Sequence, residues 1–230
     1  MQVQERHGWK LTTAEARELQ IKLAGEVIRT GESSNVRFIA GVDMSADRIH
    51  NFARAAAVVL TYPELVLAEV KVAEGSLDFP YVPGLLTFRE APLVLAACEQ
   101  LTLTPDLVLV DGQGIAHPRR FGIAAHLGLL LDVPTVGCAK SLLIGAHDEL
   151  EEKAGSTADL IDNSQIIGAA VRTRCGVKPV YVSIGHRTSL ENAVRWTLAA
   201  CRGYRLPEPL RMAHLAAGGN RTAKVAALTH

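Results

Sequence analysis

The sequence has few aromatic residues, no net charge and no long apolar run. Aromatic side chains make up 5% of its 230 residues, and 24 Lys and Arg balance 24 Asp and Glu. No apolar run approaches the roughly 18–20 residues of a membrane span, and the N-terminus lacks a basic-then-apolar signal pattern. A neutral chain is also unlike proteins that bind nucleic acid without specificity. We therefore expect a cytoplasmic protein without membrane contact, and the 48% apolar content predicts a sizeable core.

The four cysteines are irregularly spaced and form no CxxC pair. This pattern indicates neither a zinc site nor a redox pair. Each cysteine lies among apolar or small residues, which predicts buried, reduced thiols. The four residues are Cys98, Cys138, Cys175 and Cys201.

Charge is distributed unevenly along the chain. From Gln165 onward there are 10 Lys and Arg against 2 Asp and Glu, so the preceding part is acidic by the same margin. An acidic metal centre that faces a basic phosphate-binding flank would produce this asymmetry. A drift of charge without functional meaning would produce it too.

The first part of the chain is typical of a helix followed by an antiparallel sheet. A helix is predicted from Leu11 to Thr30, with the capping-box pair Thr12 and Glu15 at its start. Three strand-like runs joined by short turns then predict an antiparallel meander. These runs cover 37–44, 53–61 and 65–72, and the first turn covers 47–51.

A β-α-β unit is predicted after the meander and a second helix. Short apolar runs at 107–110 and 135–139 enclose a helix over 119–131, so we expect these two strands to be parallel. Residues 142–163 are polar and irregular and predict a surface loop or short helix. A hairpin of 165–174 and 179–184 follows, and then one helix from Thr188, which has capping-box spacing from Glu191, and another from Pro207. The chain is expected to end in a frayed tail after Gly218–Gly219. We predict that all these elements form one domain over 1–230.

The most informative stretch is a buried strand that ends in a carboxylate and continues into a glycine-containing loop. It covers 106–120 and has the sequence DLVLVDGQGIAHPRR. Asp111 would lie at the carboxyl end of its strand, where open α/β sheets bind ligands. Gly112 and Gly114 allow the backbone to approach a ligand closely. An acid beside a basic cluster indicates metal-assisted chemistry on a phosphate.

Three carboxylates are candidates for a metal site, namely Asp43 and Asp111 at strand ends and Glu90 at a helix start. Hard oxygen ligands of this kind suit Mg²⁺ or Mn²⁺. Two acids on adjacent strands and one on a packed helix match the ribonuclease H-like arrangement, a meander followed by parallel strands and helices. Glu90 has capping-box spacing from Thr87, so a helix cap is its alternative role. Lys140 should emerge beside Asp111 and hold a phosphate or carboxylate, unless it is an ordinary surface lysine.

Two further features leave alternatives open. Tyr81 stands between two prolines on a stiff loop, either as a rigid wedge that stacks on bases or as a cap over the core. His117, His186 and His214 are the histidines in informative settings. Each is either a functional group (general acid or base, metal neighbour or phosphate contact) or a polar partner on a half-buried surface.

Six motifs make the chain resemble the endonuclease V family of deaminated-base repair nucleases. They occur in family order and cover nearly the whole chain, and the second and third are highly specific together. Cys138 stands where a valine is more usual, which we expect to be neutral. The motifs are AGVD at 40–43, FPYVPGLLTFRE at 79–90, DGQGIAHPR at 111–119, VPTVGCAKS at 133–141, SIGH at 183–186 and PEPLRMAH at 207–214.

The resemblance implies a ribonuclease H-like fold and a Mg²⁺-dependent nick at the second phosphodiester bond 3′ to deoxyinosine, with the base left in place. It implies that Asp43 and Asp111 bind the metal and that Glu90 completes the cluster. Lys140 and His214 would assist at the scissile phosphate. The implied wedge is Pro80, Tyr81, Val82 and Pro83, and the implied pocket for the flipped hypoxanthine is Gly84, Leu86, Gly112, His117, Gly122 and Ile123.

Three functions are compatible with these residues. The first is a DNA nuclease that flips deoxyinosine, which costs least at a mispair. The second is a ribonuclease that acts mainly on inosine in single-stranded RNA, because the same pocket would accept it and only the 2′-hydroxyl differs. The third is a protein that binds a distorted strand without cutting it, although such a binder has no need of the acids.

Overall fold

The structure, a computed structural model, describes residues 1–47 and 51–218 and is built on one mixed sheet. Its strands are β1 (Phe38–Asp47), β2 (Phe52–Thr61), β3 (Leu67–Ser76), β4 (Leu107–Val110), β5 (Thr135–Ala139), β6 (Thr157–Asp162), β7 (Gln165–Val171) and β8 (Val180–His186). Its helices are α1 (Thr13–Ala24), α2 (Leu86–Glu99), α3 (Ile123–Leu131), α4 (Leu190–Ala199) and α5 (Glu208–Ala217). Across the sheet the strand order is β3-β2-β1-β4-β5-β8-β7-β6.

The strand pairing confirms the predicted ribonuclease H-like arrangement. β1, β2 and β3 form the antiparallel meander, and β4 joins β1 in parallel. β5 is parallel to β4, as the β-α-β unit predicts, and β7 and β8 form the predicted hairpin. The capping box of Thr12 and Glu15 is present at the start of α1.

Some local predictions are wrong. The segment 142–163 contains β6, an edge strand whose residues are mostly solvent-accessible, so its sequence is polar and lacks the apolar pattern of an inner strand. The cap of α4 is Ser189, which accepts from the N–H of Asn192, and not Thr188. The predicted helix over 11–30 ends at Ala24. Part of the predicted turn (48–50) and the tail after Gly218 lie outside the described residues.

The sheet is covered by helices on both faces, because successive residues of a strand point to opposite sides. In β2, Ala55 and Ala57 belong to the core on the α2 and α3 side. Ala56 and Val58 pack instead with α5. The small side chains of β2 allow this second layer to lie close to the sheet.

The N-terminal end of helix α5 lies directly against β1 at Gly41. A Cβ atom added to Gly41 would lie 2.2 Å from the carbonyl carbon and oxygen of Pro209, so only glycine fits there. Asp43 is two residues further along the same face of β1. The contact at Gly41 therefore determines how near the rest of α5 comes to Asp43.

The thiols differ in their surroundings. Cys98 and Cys138 are buried, as predicted, and Cys201 is partly buried. Cys175 is exposed in the turn between β7 and β8, so the prediction of burial is wrong for it, because the neighbours of a turn residue in sequence do not cover it. In the described part of the chain, helices fall short of the length and apolarity needed to cross a bilayer.

We predict that Gly41→Ala lowers the thermal unfolding midpoint, because α5 must move away from β1. Overpacking of this kind costs about 1–3 kcal/mol. Gly75→Ala on β3 is the control, since its Cβ would meet only the Leu93 side chain at 3.4 Å. Equal midpoints for the two variants would show that α5 is not held at Gly41.

Candidate active site

Asp43 and Asp111 lie side by side because β1 and β4 are parallel. The last residue pair of this ladder is Val42 with Val110, and the N–H of Asp111 donates to the carbonyl of Val42 at 3.2 Å. Both acids follow this pair directly, although Asp43 is not at a strand end, since β1 continues to Asp47. Their side chains are only 10% and 13% exposed. Two carboxylates with little access to water thus lie side by side on adjacent strands.

His214 joins these acids from α5. Its Nδ1 lies 2.7 Å from Oδ2 of Asp43. One ligand atom from each of Asp43, Asp111 and His214 lies within 4.8 Å of the others, close enough to hold one metal ion. A donor set with two carboxylate oxygens fits a hard divalent cation. We call these three residues the metal cluster.

Glu90 is electrostatically part of the same region. Burial, and then the charges of Asp43 and Asp111, raise the pKa of Glu90 to about 8. Burial and the charge of Asp111 also raise the pKa of Asp43, and the hydrogen bond from His214 opposes this rise. Repulsion among three poorly solvated carboxylates is what a bound cation would relieve. Glu90 lies outside the close group of ligand atoms, so its role as a ligand stays a prediction.

The alternative role of Glu90 as a helix cap is wrong. Helix α2 begins at Leu86, one residue before Thr87, and has no side-chain cap. The hydroxyl of Thr87 lies instead 2.8 Å from Nδ1 of His126. Capping-box spacing is therefore present in the sequence but is overridden by a tertiary contact.

Lys140 follows β5 and forms an ion pair with Asp111, so it is not an isolated surface lysine. Burial lowers the pKa of Lys140, but the hydrogen bond to Asp111 and the charges of Asp111 and Asp43 raise it by more. The ammonium group is therefore charged at neutral pH. Arg205 donates to the carbonyl of Lys140 at 2.5 Å and steadies the backbone there.

A cavity of about 350 Å³ opens beside the metal cluster. Asp111 and Lys140 line it, so the cavity and the cluster share a wall. All residues that the resemblance implies for a base pocket line it as well, and these are Gly84, Leu86, Gly112, His117, Gly122 and Ile123. The cavity is also lined by residues that were not predicted from the sequence, namely Gln20, Thr87, Gln113, Ala139, Ser141, Leu142 and Leu143. Adjacency to motif residues is a signal that could have found most of these.

Backbone geometry shapes the wall of the cavity. Gly84 and Gly112 have φ angles of +78° and +151°, values that residues other than glycine rarely adopt. The carbonyl of Gly84 accepts hydrogen bonds from Nε2 of His117 at 2.9 Å and from Arg119 at 2.6 Å. Arg119 also donates to Gln20 at 2.6 Å. The wall is therefore fixed by hydrogen bonds from behind.

His117 is uncharged at neutral pH. Burial, followed by the charge of Arg119, lowers its pKa to about 4. With Nε2 donating to Gly84, Nδ1 accepts from the backbone N–H of Arg119 at 3.2 Å. A neutral ring with both nitrogens engaged shapes the cavity and is not a cationic phosphate contact.

The loop that carries Tyr81 forms one side of the cavity mouth. Tyr81 is 62% exposed, so its alternative role as a cap over the core is wrong. The core is filled instead by Phe79, which is 7% exposed and packs on Phe88. Tyr81, Val82 and Pro83 line the cavity, whereas Pro80 does not.

His186 lies outside this site. It is 2% exposed, and its Nδ1 accepts from the N–H of Ile28 at 3.3 Å. Its Nε2 faces Asp132 at 3.8 Å. Of the three candidate histidines, the structure therefore brings two, His117 and His214, to the cavity and the cluster.

We predict that Glu90→Gln stabilises the metal-free protein at neutral and alkaline pH. Folding raises the pKa of Glu90 above its ordinary 4.5, so its contribution to stability is complete below pH 4.5 and is lost as the pH rises through about 8. Glutamine does not ionise and avoids this loss. The unfolding midpoint in EDTA should therefore differ between variant and wild type above pH 8 and converge below pH 4.5.

Glu99→Gln, at the exposed end of α2, is the control, since it removes a carboxylate away from the metal cluster. Added Mg²⁺ should raise the midpoint of the wild type more than that of Glu90→Gln. A constant offset at every pH would contradict the assigned electrostatics.

Comparison with known proteins identifies the family. The family model for Endonuclease V matches residues 21–215. Endonuclease V of Gloeobacter violaceus is 54% identical over 211 residues, which cover 90% of this chain and 86% of that protein. The crystal structure of Endonuclease V from Streptomyces avermitilis has a TM-score of 0.86 and 42% identity, with full coverage of both chains.

A further solved structure contains nucleic acid. Ciona intestinalis Endonuclease V, in complex with a 24mer DNA containing an inosine followed by a ribo-adenosine, has a TM-score of 0.78 and 32% identity. The match covers 92% of this chain and 98% of that one. Sequence and fold agree over nearly the whole length, and the chain belongs to the endonuclease V family.

Proposed function

We propose that the protein is a Mg²⁺-dependent DNA repair endonuclease that recognises deoxyinosine and other deaminated purines. It hydrolyses the second phosphodiester bond 3′ to the lesion and leaves a 3′-hydroxyl and a 5′-phosphate. The observation that carries the proposal is that Asp111, a member of the metal cluster, and its ion-pair partner Lys140 both line the cavity. The cavity that would bind the base therefore lies at a fixed distance from the metal cluster where its strand would be cut.

The acidic residues would hold the cation. Asp43 and Asp111 are the direct ligands, Glu90 completes the set, and Mn²⁺ is the expected substitute. When bound, such an ion activates water and stabilises charge on the scissile phosphate. Lys140 supplies a permanent positive charge beside that phosphate, and His214 is placed by its bond to Asp43 to hold or move a proton there.

The cavity would receive the flipped hypoxanthine. Its glycine-rich wall offers backbone groups that can hydrogen-bond to the base edge at close range. Pro80, Tyr81, Val82 and Pro83 form the wedge that enters the opened stack. Flipping costs a few kcal/mol and least at a mispaired base, which supplies part of the selectivity.

The alternative substrate is inosine in single-stranded RNA. The cavity would accept the same base, and the sugar distinguishes the two polymers. We place the enzyme in the cytoplasm as a monomer that starts repair by nicking the damaged strand. The Ciona intestinalis relative, in complex with DNA containing an inosine followed by a ribo-adenosine, supports recognition of inosine within a DNA strand.

The decisive experiment uses matched DNA and RNA oligonucleotides, each with one inosine, incubated with Mg²⁺ or with EDTA. We expect a Mg²⁺-dependent nick in the DNA at the second bond 3′ to inosine. A cut confined to RNA would favour the ribonuclease. Binding without any cut would favour a recognition protein and overturn the proposal.

We predict that Asp43→Asn and Asp111→Asn abolish the nick, because each replaces a carboxylate ligand with a neutral amide of similar shape. Gel analysis of the labelled inosine strand measures the loss. Asp159→Asn, an exposed acid on β6, is the control and should cut normally. Wild-type rates in either site variant would show that the metal is bound elsewhere.

We predict that Tyr81→Ala weakens binding to inosine-containing DNA by about 1–3 kcal/mol, the value of one stacked base. Fluorescence anisotropy with Ca²⁺ in place of Mg²⁺ measures the affinity without cleavage. Tyr204→Ala is the control, since Tyr204 is similarly exposed but does not line the cavity. Equal affinities for the two variants would remove Tyr81 from the wedge.

A further inference from the structure

A buried histidine joins the two helices whose first residues line the cavity. His126, in the first turn of α3, is 0% exposed. Its Nδ1 lies 2.8 Å from the hydroxyl of Thr87 in the first turn of α2. The first two residues of α2 line the cavity, and so do the N-cap and first residue of α3. The imidazole therefore connects two walls of the cavity just behind its surface.

Neither helix has a side chain that caps its start. Leu85 and Gly122 occupy the N-cap positions of α2 and α3, and neither makes a side-chain hydrogen bond there. By contrast, Thr12 caps α1 and Ser189 caps α4. The bond between Thr87 and His126 is thus a polar side-chain link between the first turns of α2 and α3.

The direction of the hydrogen bonds around His126 follows from a single carbonyl. Nδ1 of His7 lies 2.9 Å from the carbonyl oxygen of Gly8, which can only accept. When His7 carries a single ring proton at Nδ1, its Nε2 accepts from Nε2 of His126, 2.6 Å away. This leaves Nδ1 of His126 to accept from the hydroxyl of Thr87. Three hydrogen bonds therefore run in one direction from Thr87 to Gly8.

The surroundings make a polar side chain at this position costly. The His126 ring packs against Trp9, Phe88 and Phe121, with ring centroids 5.0–5.5 Å apart. Burial, and then His7, lower the pKa of His126 well below its ordinary value of 6.5, which keeps the ring neutral. An apolar side chain would fill the same space without polar atoms that need partners. What the imidazole adds is a bond of defined length and direction to Thr87.

We propose that His126 and Thr87 are positioning residues that set the width of the cavity and thereby its choice among flipped purines. The proposal rests on the proposed function. Neither residue acts on the scissile phosphate. They hold the first turn of α2 against that of α3, and the distance between these two turns sets the space available to groups on the edge of a flipped base. Hypoxanthine and xanthine differ by one oxygen at C2, so a small change in this spacing alters the preference between them.

The test is Thr87→Val, which keeps the shape of the side chain and removes the hydroxyl. We expect the ratio of dissociation constants for xanthine-containing and hypoxanthine-containing DNA, measured with Ca²⁺, to fall about tenfold, the scale on which a fitted pocket discriminates against one additional group on a ligand. With Mg²⁺, KM for inosine DNA should rise more than kcat falls. Thr87→Ser restores the hydroxyl and should restore the ratio.

Thr197→Val separates positioning from general stability. Thr197 is also buried, and its hydroxyl donates to the carbonyl of Ala193 in α4, away from the cavity. This variant should lose comparable stability and keep the wild-type preference. A fall in preference equal to that of Thr87→Val would overturn the proposal, and so would an unchanged preference in Thr87→Val.

His126→Asn and His126→Gln form a second matched pair. The asparagine oxygen can take the place of Nδ1 and accept from Thr87, whereas the glutamine head group reaches the position of Nε2, next to His7. If the link to Thr87 positions the cavity, the asparagine variant should retain more of the preference. The reverse order would assign the effect to His7 and overturn the role of Thr87.

Nitrogen NMR provides a readout that is independent of catalysis. It should find His126 as the neutral tautomer protonated at Nε2 and His7 as the one protonated at Nδ1. A His126 protonated at Nδ1 would contradict the direction of the bonds. Wild-type protein that neither binds nor cuts inosine DNA would refute the proposed function, whereas normal wild-type activity with an unaltered Thr87→Val would refute only this inference.

Discussion

The parallel pairing of β1 with β4 is the constraint on which the rest of the site depends. It places Asp43 and Asp111 next to each other on adjacent strands. Their side chains have little contact with water, and their negative charges repel each other. Glu90 adds a third carboxylate, while Lys140 and His214 compensate in part. The fold thus keeps carboxylates that repel each other where a divalent cation would be held. This arrangement lowers the stability of the metal-free protein in return for a site that can bind the cation.

The loop after β4 connects this charge arrangement to the cavity. Asp111 belongs to the metal cluster, and Gly112, the next residue, lines the cavity. The chain then continues through His117, which orients the carbonyl of Gly84, to the start of α3. The segment 111–123 therefore carries the acid and four of the six residues predicted for a base pocket, all of which line the cavity. Its rigidity comes from hydrogen bonds behind the wall and from a close approach between Gly112 and Ile123.

Local sequence patterns predicted the elements wherever no distant residue competed. The capping box at Thr12 formed because its partners are three residues apart and exposed. The same spacing at Thr87 did not, because His126, 39 residues away, takes the hydroxyl. β6 escaped prediction since an edge strand is stabilised by its pairing with β7 and needs no apolar pattern of its own.

The meander, the parallel pair, the acidic motif residues and the family were predictable from the sequence, because these depend on periodicity and on short contiguous motifs. Two features became visible only in the folded chain: His214 lies against Asp43, 171 residues away in the chain, and Tyr81 faces solvent while Phe79 fills the core. The folded chain also makes His126 a link between helices. Contacts between residues so far apart in the chain arise when the helices pack on the sheet. Neither the spacing of residues along the sequence nor their type determines how closely these layers approach each other.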